Sequence, residues 1–353
     1  MKMKEENNKD LPEEPAWCLS LQGDDKEVAG RETARLFNSA IGAAALSAAY
    51  ELGLLDELKQ KEVVNLTAFC DKHDLHRLSV SAILQTLHYL EIIRFSSAGD
   101  IVQGSEFAQA FKNKGYFLWL IRGYGDMLKN LATIAKNKNR TGNYSGRDGK
   151  YIAIAGRDYG SQFVDRYFTD MLEQMPFKTA ADIGCGSGER LIRLAKSQLD
   201  FIGVGIELDR DAAALAGQSV AAANLQDRIS IFHSDIKTLG SNPLLSEVEV
   251  MFSFFMAHDL WPRENCLRTL RNILSVFPLV KRFLLCDTYR SELSISHEIP
   301  VFTLGFEVTH AVMGQYIPSL SEWMELFAEA GWRCATRRFI DLPFSCIFDL
   351  RPA

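Results

Sequence analysis

Hydrophobic positions along the chain change their period about halfway. Over 37–58, FNSAIGAAALSAAYELGLLDEL, apolar residues recur at helical spacing in a run rich in Ala and Leu. VNLTAFCDKHDL and LSVSAILQTLHYLEII predict two further short helices, and RFSSAGDIVQG predicts a small β-hairpin with Gly99 and Asp100 at its turn. From about Lys178 short apolar runs alternate with amphipathic segments. TAADIG, FIGVGIEL, ISIFHSD, VEVMFSFF and RFLLCD predict strands, and ERLIRLAKSQ, RDAAALAGQSVAAANL and RENCLRTLRNIL predict the helices between them. PSLSEWMELFAEAGW predicts a last helix, with a capping box from Ser319 to Glu322 and Gly331 at its end. Strands around 334–340 and 345–350 close the chain.

Strands alternating with helices predict a parallel sheet covered on both faces, and the closing pair predicts an antiparallel edge. The expected division is a disordered polar tail over 1–28, helices and hairpin over 29–114, connecting helices and a turn-rich loop over 115–160, and the α/β domain over 161–353. Helices followed by a hairpin have the outline of a winged helix. The helix that would enter a DNA groove offers Ser79, Ser81 and Gln85 with few bases, while Leu78, Leu84 and Leu87 dominate it. That surface suits dimerisation better than DNA.

The 353 residues leave room for two domains, and 47% hydrophobic with 24% charged residues is ordinary for a globular chain. A net charge of -6 without a Lys/Arg block argues against a nucleic-acid partner. No run approaches the ~20 apolar residues of a membrane span, and the N-terminus has no apolar core of a signal peptide. Seven scattered cysteines without a C-x-x-C pair fit a reduced, cytoplasmic protein and no zinc ribbon.

Candidate chemistry starts at ADIGCGSGER, a predicted strand-to-helix turn. Gly184, Gly186 and Gly188 let backbone pass close to a ligand there, while Glu189 stands where a nicotinamide fingerprint wants a third glycine. Glu207 ends the next strand, 23 residues beyond Gly184, where it suits two ribose hydroxyls. Asp235 ends the strand after that, where it can accept from an adenine amino group. Together with Asp182, these acids at consecutive strand ends resemble the class I S-adenosylmethionine-dependent methyltransferases. The implied fold is a Rossmann-like seven-stranded sheet, and the N-terminal half resembles the winged-helix-like dimerisation domain of small-molecule O-methyltransferases. The resemblance implies an S-adenosylmethionine site that also takes in Leu208, Ser234, Ile236 and Phe254, and a homodimer.

FFMAHDLWPRENC follows the fourth strand, so His258 and Asp259 are expected to face the cofactor. In the O-methyltransferases a histidine in an H-D-W-like motif is the general base, a task an imidazole suits. Here Leu260 precedes Trp261 and Pro262 follows. That departure resembles the 2-oxoacid C-methyltransferases, which make β-methylated amino acid precursors for secondary metabolism such as antibiotic biosynthesis. The resemblance implies a metal, iron foremost, held by His258 and a second histidine. His310, in FEVTHAVMGQYIPSL, matches that position better than His297. The implied reaction is methylation of the β-carbon through a metal-stabilised enolate, with Asp259 orienting water or accepting the β-proton. Arg147 is the candidate for the substrate carboxylate. The alternative is metal-free O-methylation with His258 as base. Phe254, Phe255, Trp261, Phe302 and Phe306 are candidates for the acceptor pocket. His73 and His76 are expected on the surface, His88 in packing and His233 in a structural role.

Overall fold

The computed structural model describes residues 25–140, 146–291 and 299–353, with side chains from Gly30 onward. Helices Asp25–Glu51, Leu54–Lys61, Leu66–His73 and Arg77–Tyr89 pack with a small antiparallel sheet. Its strands β1 (Val63–Val64), β2 (Ile93–Phe95) and β3 (Ile101–Gln103) lie in the order β1-β3-β2. Gly99 turns the β2–β3 hairpin at φ +85°, a conformation that favours glycine. Asn65 caps its helix by accepting from the Ala68 N–H and donates to Asp100, which ties helix to hairpin. Leu55, Leu58, Phe69, Leu84, Ile93 and Ile101 form a core of their own. Of the three leucines expected to dominate Arg77–Tyr89, Leu84 and Leu87 are buried and Leu78 is exposed. His73 and His76 are exposed as expected; His88, expected in packing, is exposed too, because its ring lies outside the helix's buried face, where it meets Phe95 at 5.3 Å.

The second half is one seven-stranded sheet: β4 (Thr179–Ile183), β5 (Ile202–Glu207), β6 (Ile229–His233), β7 (Val250–Phe254), β8 (Arg282–Thr288), β9 (Trp332–Phe339) and β10 (Ser345–Pro352). The order is β6-β5-β4-β7-β8-β10-β9, parallel from β6 to β8, with β10 antiparallel to both β8 and β9. Central strands β7 and β8 are buried along their whole length, which is why their middles read as apolar runs, with Ser253, Arg282, Asp287 and Thr288 as buried polar exceptions. β9 carries Arg333, Arg337 and Arg338 on the sheet edge, where charge discourages pairing with another chain.

Buried Arg282, at the start of β8, donates to both carboxylate oxygens of Asp349 on β10, at 3.1 and 2.9 Å, and locks the antiparallel edge to the parallel core. Lys114, also buried, bonds Asp56 at 2.6 Å and lies 3.7 Å from Asp158, joining the N-terminal helices to helix Gly149–Phe163. Strand order reverses between β4 and β7, so a crevice opens at their carboxyl ends. Among the described residues no helix is long and apolar enough to cross a membrane, and the described cysteines are all unpaired.

Candidate active site

The glycine loop leaves β4 at this crevice. Gly184 takes φ +73°, and a Cβ there would lie 3.0 Å from Met256 Cγ, so only glycine fits. Glu207, at the end of β5, accepts from the N–H groups of Gly186 and Asp209, each at 2.9 Å, and holds two loops to one carboxylate. Burial raises its pKa, partly offset by those two N–H groups. Two adjoining clefts share Arg147, Gly184, Glu207, Met256 and Asp259. One extends to Gly186, Phe254, Arg157 and Arg190. The other extends to Leu208, Ser234, Asp235 and Ile236.

Asp182 and Gly188 are not on either cleft wall. Gly188 caps helix Glu189–Ser197 at φ +74°. Asp182 is buried, and burial pushes its pKa up to about 8, with Arg190 opposing the rise and Glu207 adding to it. His233 binds the Leu208 carbonyl at 3.1 Å, a structural role.

β7 ends at Phe254, and the short turn Ala257–Leu260 swings His258 and Asp259 over the crevice. His258 is 2% exposed and His310, on helix Thr303–Met313, likewise. Their Nε2 atoms lie 3.1 Å apart. Each ring's other nitrogen is already engaged. His258 Nδ1 donates to Asp287 at 2.7 Å, and His310 Nδ1 donates to the Phe306 carbonyl at 2.6 Å. Those acceptors assign the proton to Nδ1 in each neutral ring, so two Nε2 lone pairs face each other. Asp259 Oδ1 sits 3.5 Å from His258 Nε2 and, though buried, has no hydrogen-bond partner among the described residues. His258, Asp259 and His310 thus form a metal-type cluster whose ligand atoms lie within 4.8 Å of one another.

Electrostatics separates the two histidines. Burial pushes the His258 pKa down, but Asp287 and Asp259 outweigh it and leave the pKa raised. Burial and the neighbouring His258 lower His310 to about 3, which keeps it neutral. Burial would raise Asp259, but His258 and Arg147 hold it below the ordinary carboxylate range. Arg147 donates to Asp259 Oδ2 at 3.0 Å and also bonds the Tyr124 hydroxyl.

The aromatic candidates divide. Phe306 packs against both histidines, with ring centroids 4.0 Å from His310 and 5.1 Å from His258. Phe302 continues that wall towards Tyr116 and Trp119. Phe254 and Phe255 line the glycine-loop cleft. Trp261 packs on Trp323 in the core behind the site. His297 lies outside the described residues. Sequence reasoning missed Asp287, which orients His258. The available signal was an acid ending an apolar strand, the pattern that marked Glu207 and Asp235.

A parallel sheet with a glycine loop at its switch point, and acids at successive strand ends, defines an enzyme that binds a nucleoside-bearing cofactor. The methyltransferase-domain model matches residues 180–277. The chain is 33% identical over 331 residues to Methyltransferase ungE' of Aspergillus campestris, covering 91% of this chain and 96% of that protein. It is 26% identical over 329 residues to Indolepyruvate C-methyltransferase of Streptomyces griseus, covering 92% and 97%. The fold matches the structure of the Mitomycin 7-O-methyltransferase MmcR with a TM-score of 0.62 at 18% identity, covering 94% of this chain and 100% of that one. The chain belongs to the S-adenosylmethionine-dependent methyltransferases.

Proposed function

We propose that the enzyme methylates the β-carbon of a 2-oxoacid, with iron or another first-row ion held by His258 and His310. The observation that carries this reading is the histidine pair. With their Nδ1 protons already donated, the neutral forms of the two imidazoles present Nε2 lone pairs to one point, and a carboxylate oxygen without a hydrogen-bond partner among the described residues stands beside them. Such buried lone pairs call for a cation. A bound ion would supply Lewis acidity towards the keto and carboxylate oxygens, which suits carbon methylation because a β-carbon must enolise before it becomes nucleophilic.

The chain's own groups divide the remaining work. Asp287 and the Phe306 carbonyl orient the two rings. Asp259, held ionised by His258 and Arg147, takes the β-proton. Arg147 grips the acceptor carboxylate, and Tyr124 holds the guanidinium in place. Gly184, Gly186, Glu207, Leu208, Ser234, Asp235, Ile236 and Phe254 seat S-adenosylmethionine, while Asp182 and Gly188 support the loop from behind. Two relatives bear names of 2-oxoacid enzymes, Indolepyruvate C-methyltransferase and 2-ketoarginine methyltransferase, and these names support the substrate class. Leu36, Phe37 and Ile41 are 76%, 70% and 51% exposed on the first helix, which suits a homodimer.

A second reading, metal-free O-methylation of a hydroxyl or phenol, is favoured by the His258–Asp287 pair, which would serve a general base equally well. Incubation with methyl-labelled S-adenosylmethionine and a panel of 2-oxoacids and phenols decides between them. The expected product carries its label on the β-carbon of a 2-oxoacid, and purified enzyme carries about one metal ion per chain. Label on oxygen alone, with full activity after chelation, overturns the proposal.

A further inference from the structure

Phe302 belongs both to the aromatic wall of the histidine pair and to a separate apolar pocket. Tyr116, Trp119, Leu120, Val301, Phe302 and Gly305 line that pocket, whose volume is about 90 Å3. On the site side the Phe302 ring centroid lies 5.1 Å from that of Phe306, which meets His310 at 4.0 Å and His258 at 5.1 Å. On the pocket side it lies 5.0 Å from Tyr116 and 5.2 Å from Trp119. One ring therefore stands between the pocket and the wall of the site. Val301, 48% exposed, marks the pocket's outer rim.

Two unusual pieces of backbone hold this arrangement. Helix Phe107–Leu118 runs on into a π-helical turn over Trp119–Gly123, where the Tyr124 N–H donates to the Trp119 carbonyl at 3.1 Å. A turn of that width puts residues five apart on one face. The rings of Trp119 and Tyr124 accordingly lie 4.4 Å apart, Trp119 against Phe302 and Tyr124 6.3 Å from His310. Pocket wall and site wall are thus one continuous aromatic surface. Phe302 itself, just ahead of helix Thr303–Met313, takes φ +81°. A bulky L residue adopts that conformation only where its surroundings hold it. Here the rings of Tyr116, Trp119, Tyr159 and Phe306 do so.

We propose that Phe302 is a specificity-determining residue that limits the length of the acceptor's side chain, by closing the site off from the pocket behind it. This rests on the carbon-methylation reading above. Arg147 and Asp259 line the cofactor clefts, which leaves the aromatic wall as the apolar surface at the histidine pair for a side chain to lie on. Phe302 ends that surface. Beyond it the pocket is already formed, and a longer chain enters it once the ring is removed. Each further methylene buried there strengthens transition-state binding about fourfold.

Steady-state kinetics of the metal-loaded enzyme with 2-oxohexanoate and 2-oxooctanoate, which differ only in length, tests this, the methylated position being mapped by NMR. Phe302→Ala is expected to raise the kcat/KM ratio of the longer acid over the shorter by about tenfold or more, the gain from two buried methylenes. Phe302→Leu is expected to move the ratio the same way by less. A Cβ at Gly305 would stand 3.6 Å from both Leu120 and Trp119, ordinary contact distances, so Gly305→Val fits and fills the pocket. Alone it is expected to leave the ratio as in the wild type, because Phe302 already closes the pocket off; added to Phe302→Ala it is expected to reverse the gain. Calorimetric binding of S-adenosylmethionine, expected to match the wild type in each variant, separates altered specificity from lost folding. A ratio unchanged in both Phe302 variants, or a gain that Gly305→Val leaves in place, overturns the role of Phe302 while leaving carbon methylation intact. Methyl transfer to carbon in neither of these acids nor any 2-oxoacid of the panel above overturns the underlying reaction and this role with it.

Discussion

Asp182 gives a prediction whose sign and size follow from its surroundings. The side chain is 1% exposed near the end of β4, and its Oδ1 has no hydrogen-bond partner among the described residues. Burial pushes its pKa up to about 8; Arg190 favours the carboxylate, while Glu207 and Asp165 oppose it. An unfolded aspartate titrates near 3.9. Below about pH 4 the acid is protonated in both states and contributes no pH dependence. Between about pH 4 and 8 the unfolded chain releases the proton and the native chain keeps it. The native state then binds more protons, so stability falls as pH rises, by up to about 1.4 kcal/mol per pH unit. Across the window the loss is on the order of 5 kcal/mol, and above about pH 8 the dependence flattens. Asp182→Asn keeps the shape and cannot ionise. Urea unfolding followed by tryptophan fluorescence at stepped pH measures the difference, and groups common to both proteins cancel. The variant is expected to gain on the wild type steadily from pH 4 to 8. A gap that stays constant, or narrows as pH rises, refutes the argument.

His310→Ala is expected to reduce bound metal from about one ion per chain to background, with the circular dichroism spectrum retained; elemental analysis reads it directly. Asp287→Asn removes the charged acceptor that orients His258, and metal affinity is expected to fall roughly 10- to 100-fold in a chelator competition. Gly184→Ala forces a side chain into φ +73° against Met256, and calorimetry is expected to show S-adenosylmethionine binding about tenfold weaker. Asp349→Ala strands the buried Arg282 guanidinium and is expected to destabilise by ~3–5 kcal/mol in urea unfolding.

Much of this protein was legible along the chain, because the signals involved are local. Short, largely apolar runs mark β7 and β8 since both faces of these central strands are covered. The glycine loop and the acids ending β5 and β6 carry their meaning in adjacent residues, as does the Ser319–Glu322 capping box, which forms as its pattern predicts. His258 could be placed at the crevice from its position after a strand. Only the tertiary structure decided the rest. His258 and His310 are 52 residues apart in sequence, Arg147 and Asp259 are 112 apart, and Asp287 reaches His258 from the next strand over. No local pattern encodes such meetings, since they follow from strand order and helix packing.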